Sequence, residues 1–146
     1  MNKIILLFPI FIFLNVNIAF ADNSACSYFC PKLSELPYIK LTQYNNGFKS
    51  LMDGKLTHGC EIVFKSHDSI VSGDKVYNTF QSFINNPAWA VDNSLSADGP
   101  GSSSVTIENK KNKCTILWSQ DAWIDDESGE HRQTSNIEMI IQCTSK

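Results

Sequence analysis

Two short stretches, CTILWS at residues 114–119 and IEMIIQC at residues 137–143, decide the predicted fold. In both, every second residue is apolar, which is typical of a half-buried β-strand. The residues predicted to face the core are Cys114, Ile116 and Trp118 in the first stretch and Ile137, Met139, Ile141 and Cys143 in the second. If the two strands are antiparallel neighbours, the start of one lies beside the end of the other. We therefore predict a disulfide bond between Cys114 and Cys143.

A single helix is predicted over residues 74–84. Its apolar residues recur at helical spacing, Ser72 is suitably placed to cap its N-terminus, and Pro87 disfavours helix in the residue before it. The apolar positions of this segment are Val76, Phe80, Phe83 and Ile84. This narrow stripe needs a sheet to pack against.

Further strands are predicted at residues 38–44 and on both sides of Asp53-Gly54, a pair that favours a β-hairpin. Alternation in the second arm of that hairpin predicts one inward face, made of Leu56, His58, Cys60, Ile62 and Phe64. Residues 92–104 and 121–135 are polar and are predicted to be long loops. The expected fold is a single α+β domain, an antiparallel sheet of about five or six strands with one helix packed on one face. The alternative is an all-β sandwich in which the helix is an insertion.

The N-terminus has the three parts of a secretory signal peptide. Lys3 precedes an apolar run over residues 4–14, and Ala19-Phe20-Ala21 provides a cleavage sequence. We predict a signal peptide at residues 1–21 and one secreted or periplasmic domain at residues 22–146, with an irregular arm at residues 22–37. The apolar run is shorter than the roughly 20 residues of a spanning helix, and no transmembrane segment is expected in the mature chain.

Five cysteines in an exported chain predict disulfide bonds and one leftover thiol. Beside the bond from Cys114 to Cys143, Cys60 is expected to tie the N-terminal arm to the sheet. Either Cys30 or Cys26 can be its partner, and Cys30 is our choice, with Cys26 left over. A lipid anchor at Cys26 is the alternative use of that residue.

The charge balance indicates the class of partner. The formal net charge of −3 becomes −4 once Lys3 is removed with the signal peptide. Nucleic-acid binding usually needs a basic stripe, so no nucleic-acid partner is expected. The one basic cluster, at residues 110–113, is interpreted as a solvated hairpin turn.

Function is predicted from what the polar segments contain. The favoured interpretation is a non-enzymatic binding domain whose partner is a protein or a cell-envelope component, with no cofactor and no metal. Aromatic and acidic side chains beside the two polar segments are the candidate binding residues. They are Trp89, Asp98, Trp123, Asp125 and Asp126.

A small hydrolase is the competing hypothesis. It would use His58 or His131 as a base and a carboxylate such as Asp98 or Asp121. The acidic residues around 121–130 also supply oxygen donors, but they do not match the spacing of a calcium-binding loop.

Overall fold

The computed structural model describes residues 25–67, 69–99, 101–124 and 131–146. The predicted signal peptide at residues 1–21 lies outside these ranges. Within them the elements, in chain order, are a 3-10 turn (Ala25–Tyr28), α1 (Cys30–Ser34), β1 (Lys40–Tyr44), β2 (Phe48–Lys49), β3 (Leu56–Thr57), β4 (Cys60–His67), α2 (Gly73–Ile84), β5 (Ala90–Gly99), β6 (Ser102–Glu108), β7 (Asn112–Ile124) and β8 (His131–Ser145).

Six of the strands form one antiparallel sheet in the order β1-β4-β8-β7-β6-β5. The predicted α+β class is confirmed, and β2 and β3 form a separate two-stranded sheet. Strand β8 lies between β4 and β7, with Ile141 opposite Ile62 on one side and opposite Ile116 on the other. The two stretches that suggested the fold are therefore central and adjacent.

Helix α2 covers one face of the sheet, as its apolar stripe predicted. Val76, Phe80 and Phe83 are buried in the core. Its N-cap is Ser72, whose side chain accepts a hydrogen bond from the backbone N–H of Lys75. This bond satisfies one of the backbone donors that the first turn of a helix leaves without a partner.

The N-terminal arm is more regular than expected. The 3-10 turn and α1 lie over the same face as α2, and Phe29, Leu33 and Leu36 are buried there. Apolar residues at positions 29, 33 and 36 have the spacing of one helical face. The arm therefore completes the core layer that α2 begins.

The disulfide bond between Cys114 and Cys143 is confirmed. The second bond joins Cys26 to Cys60, so the choice of Cys30 was wrong, and Cys30 is the free cysteine. Cys26 is fully buried on the inner side of the 3-10 turn, whereas the Cys30 thiol donates a hydrogen bond to Oε1 of Gln43 on β1. The direction of the arm over the sheet therefore decides which cysteine reaches β4.

The strand that leads to the helix begins later than the alternation suggested. Gly59 has a φ of +155°, outside the range of an extended L-residue, and β4 begins at Cys60. Consequently Leu56 is 86% exposed and His58 is also exposed, so neither joins the inward face predicted for them. Cys60, Ile62 and Phe64 do face the core.

The first predicted polar loop is largely a β-hairpin. Residues 92–99 belong to β5 and residues 102–104 to β6, with a register shift between Asp92 and Ala97. In the second predicted loop, residues 121–135, strand β7 continues to Ile124 and strand β8 starts at His131. Residues 125–130 lie outside the described part of the chain.

Among the described residues, no helix combines the length and apolar character needed to cross a bilayer. Two disulfide bonds are compatible with an oxidising extracellular or periplasmic environment.

Candidate functional site

A cavity of about 710 Å³ lies at the end of the sheet where β8 finishes. Four separate chain segments meet there: the 3-10 turn, the residues that follow α2, the turn between β6 and β7, and the last two residues of the chain. Its lining residues are Ala25, Ser27, Tyr28, Ala88, Trp89, Asn109, Lys110, Lys111, Asn112, Ser145 and Lys146. A volume of this size is within the usual range for small-molecule sites, about 300–1,000 Å³.

One wall of the cavity is aromatic. The ring centroids of Tyr28 and Trp89 are 5.9 Å apart, and both rings also contact Phe29, at 4.9 Å from Tyr28 and 5.8 Å from Trp89. Nδ2 of Asn86 donates a hydrogen bond to the Tyr28 hydroxyl. The wall is therefore held by core packing on one side and by a side-chain hydrogen bond on the other.

The facing wall is the turn between β6 and β7. Oδ1 of Asn109 accepts hydrogen bonds from the backbone N–H groups of Lys111 and Asn112, both at 2.9 Å, and this contact fixes the turn. The backbone N–H of Lys146 donates to the carbonyl oxygen of Lys111 at 2.9 Å. The end of β8 is thereby attached to the same turn.

The rim of the cavity is positively charged. Lys110, Lys111 and Lys146 are all exposed there, and of these Lys146 forms an ion pair with Glu108 at 2.7 Å. Among the described residues, neither Lys110 nor Lys111 has an acidic partner. Two uncompensated ammonium groups next to an aromatic wall are suited to an anionic ligand with a flat or apolar portion.

The predicted binding residues do not form one surface. Trp89 is only 9% exposed and belongs to the cavity wall, so it is not the exposed aromatic that the sequence suggested. The neighbour of Trp89, Ala90, is level with Lys113 on β7, because both residues pair with Glu108 on β6. Trp123 lies ten residues further along β7 than Lys113. At the usual rise this separation is about 33 Å, so the two tryptophans lie at opposite ends of the sheet.

The acidic candidates either lie at the end of the sheet away from the cavity or are among the residues that the structure does not describe. Asp98 is exposed on β5, opposite Ser103, whose hydroxyl donates a hydrogen bond to its carboxylate. Asp125 and Asp126 lie outside the described residues, as does the side chain of Trp123, whose backbone pairs with that of Arg132. No common site with Trp89 follows from these positions.

The geometry also separates His58 from the carboxylates that the hydrolase hypothesis assigned to it. His58 precedes Cys60, which is level with Cys143 and Cys114 across the sheet. Asp121 lies seven residues beyond Cys114 on β7, about 23 Å along the strand. Asp98 is on the edge strand β5. This strand is four positions from β4 in the sheet, so it lies about 19 Å from β4, the strand that follows His58. The side chain of His131 lies outside the described residues.

The lysines of the cavity were visible in the sequence, but their surroundings were not. Residues 110–113 were interpreted as a solvated turn, which is correct for the backbone. The cavity arises because residues 25–28, 88–89 and 145–146 approach that turn from distant parts of the chain.

No protein-family model, no curated protein and no solved structure matches this chain.

Proposed function

We propose that this protein is an exported, non-enzymatic binding domain that takes an anionic component of the cell envelope at the lysine-lined cavity. The observation that carries the proposal is the position of Lys110 and Lys111, which have no acidic partner among the described residues, beside the Tyr28–Trp89 wall in one cavity. Export is supported by the signal-peptide pattern at residues 1–21 and is compatible with the two disulfide bonds.

The ligand chemistry follows from the lining. Ammonium groups attract carboxylate, phosphate or sulfate groups, and the carboxamides of Asn109 and Asn112 offer further hydrogen bonds beside them. The half-buried phenol ring of Tyr28, packed against the largely buried Trp89, presents an apolar surface, which suits a sugar ring or an acyl portion between charged groups. An acidic oligosaccharide has both parts and is the ligand class that we favour.

The experiment measures the affinity of the oxidised protein for an oligogalacturonate, with inorganic polyphosphate as a second probe. Binding is followed by Trp fluorescence and by calorimetry. The variant K110A/K111A removes two charges from the cavity, and K40A/K75A removes two exposed charges elsewhere. We expect the first variant to lose affinity by about tenfold or more, because each partly exposed charge contact contributes up to about 1 kcal/mol.

The control K40A/K75A is expected to stay within about twofold of the unsubstituted protein, since salt screens distant surface charges. Equal losses in both variants would show that attraction is non-specific and would contradict the proposal. If polyphosphate binds at the cavity and the oligosaccharide does not, the preference for a sugar is wrong. If neither probe binds, the cavity is not an anion site.

A further inference from the structure

Three cysteines lie side by side on the neighbouring strands β4, β8 and β7, near the end of the sheet where β8 finishes. Cys143 on β8 is the register partner of Cys60 on β4 and of Cys114 on β7. All three residues face the core, and each is at most 4% exposed. A row of this kind is fixed by strand pairing, because residues opposite each other in adjacent strands share one face of the sheet.

A fourth cysteine approaches the row from outside the sheet. Cys26, on the 3-10 turn, is fully buried, and its backbone N–H donates to Sγ of Cys60 at 3.2 Å. The sulfur atoms of Cys26, Cys60 and Cys143 all lie within 4.8 Å of one another, and Cys114 is bonded to Cys143. The two disulfide bonds thus lie next to each other in the core, and three of their four sulfur atoms are mutually close.

In the oxidised protein these sulfur atoms are joined in pairs and are poor metal ligands. Two equivalents of a dithiol reductant, each giving two electrons and two protons and ending as a disulfide itself, would convert the two bonds into four thiols at the same place. Thiolates are costly in an apolar interior unless a cation compensates their charge. Zn²⁺ binds thiolates at about 2.3 Å in a tetrahedron, which sets the sulfur atoms about 3.8 Å apart. To reach this spacing the two bonded sulfur pairs move apart on reduction, and the sulfur of Cys143, which lies within 4.8 Å of those of Cys26 and Cys60, approaches them by at most about 1 Å.

We infer that the reduced protein binds one thiophilic divalent cation, such as Zn²⁺, through Cys26, Cys60, Cys143 and Cys114. Binding displaces the four thiol protons and leaves a four-thiolate complex in the core. The oxidised protein and the metal-bound protein are then two alternative states of the same cluster.

The sheet provides a scaffold for the site after reduction. The inward positions next to the cysteine row are Ile62, Ile141 and Ile116, which are fully buried and pair with each other across the same three strands. Their packing holds the strands in register without either disulfide bond. Cys30 is separate from the cluster, since its thiol donates to Oε1 of Gln43 at 3.2 Å, and it therefore supplies a matched control.

The test titrates Co²⁺ into the full chain, reduced with a phosphine under argon, and follows the visible absorption of tetrahedral cobalt–thiolate complexes. We expect one equivalent to bind, Zn²⁺ to displace it, and the oxidised protein to give no such signal. The Cys30→Ala variant should retain the full signal. Cys143→Ala and Cys26→Ala should each lose the spectrum of a four-thiolate complex.

Circular dichroism of each reduced sample, with and without metal, separates a folded site from an unfolded chain. A cobalt–thiolate spectrum in a protein without sheet structure would overturn the inference, because the site depends on strand register. A signal that is lost in Cys30→Ala and kept in Cys143→Ala would also overturn it. So would the absence of stoichiometric binding in the reduced, unsubstituted protein, whether it is folded or not.

Discussion

Substitution of Gly59 by alanine is the sharpest available test of the junction between the small sheet and the main one. A Cβ atom at this position would lie 2.1 Å from the carbonyl oxygen of Cys143 and 2.9 Å from Cε1 of Phe48. The Cys143 carbonyl belongs to the central strand β8 and cannot rotate away as a side chain would. With φ at +155°, the residue also adopts a conformation that L-residues rarely adopt.

The expected loss of stability combines two costs. A strained backbone conformation costs about 1–3 kcal/mol, and forcing extra volume into a packed site costs about 1–3 kcal/mol. We expect Gly59→Ala to lower the free energy of unfolding by about 3–5 kcal/mol. Urea unfolding of the oxidised protein, followed by Trp fluorescence, measures this free energy because Trp118 is buried in the core.

The matched control is Gly54→Ala. Gly54 has a φ of +70°, but its nearest prospective contact is the flexible Lys49 side chain at 3.7 Å. Only the backbone cost applies, and we expect a loss of about 1–2 kcal/mol. If Gly59→Ala is no less stable than Gly54→Ala, the close approach of β8 to this turn is wrong.

Three further predictions concern the disulfide bonds, the helix cap and the free thiol. Replacing Cys114 and Cys143 together by alanine should lower the free energy of unfolding by about 3–4 kcal/mol, because the bond closes a loop of about 30 residues in the unfolded chain. Urea titration checks this value, and a loss below about 1 kcal/mol would contradict the entropic argument. Ser72→Ala should cost about 1 kcal/mol through the lost hydrogen bond to the Lys75 N–H, which thermal unfolding measures, and an unchanged Tm would refute the capping role. Burial raises the pKa of the Cys30 thiol, so the folded state favours the neutral form, and the resulting stability is lost as pH rises through the raised pKa. Alkylation of the native protein should therefore accelerate at higher pH than alkylation in urea, and identical pH profiles would show that the thiol is not buried.

Much of the fold was accessible from local pattern. The alternation at residues 114–119 and 137–143 placed two central strands correctly, and their antiparallel pairing was enough to predict the bond from Cys114 to Cys143. The apolar stripe and cap of α2 were equally local signals. In each case one face of an element is buried and the other is not, which is the condition under which periodicity is informative.

Where burial is slight, periodicity is lost. Residues 92–99 form an edge strand whose stability comes from backbone hydrogen bonds to β6, and almost all of its side chains are exposed or only half-buried. A strand without a buried face has no alternation to detect, and it was interpreted as a loop. The predicted start of β4 was wrong for a related reason. The apolar alternation in the sequence continues through residue 59, but Gly59 has a positive φ and β4 begins only after it.

The candidate site was beyond sequence reasoning for a geometric reason. Trp89 follows helix α2, which local rules describe well, yet its role depends on contact with Tyr28, sixty-one residues earlier. The choice between Cys26 and Cys30 had the same origin, since the two residues are one helical turn apart and only the path of the arm separates them. Contacts of this kind are determined by packing of whole elements.

The position of β8 constrains how the chain acquires its structure as it emerges from the ribosome. Strand β4 has β1 on one side and β8 on the other, and β8, formed by residues 131–145, follows all the other described strands in chain order. Until that segment arrives, β4 and β7 each present an edge without its native neighbour, and such edges favour pairing with other molecules. Completion of the sheet therefore has to wait for β8, which is made after both of its neighbours and joins the two halves of the sheet by pairing with β4 on one side and β7 on the other.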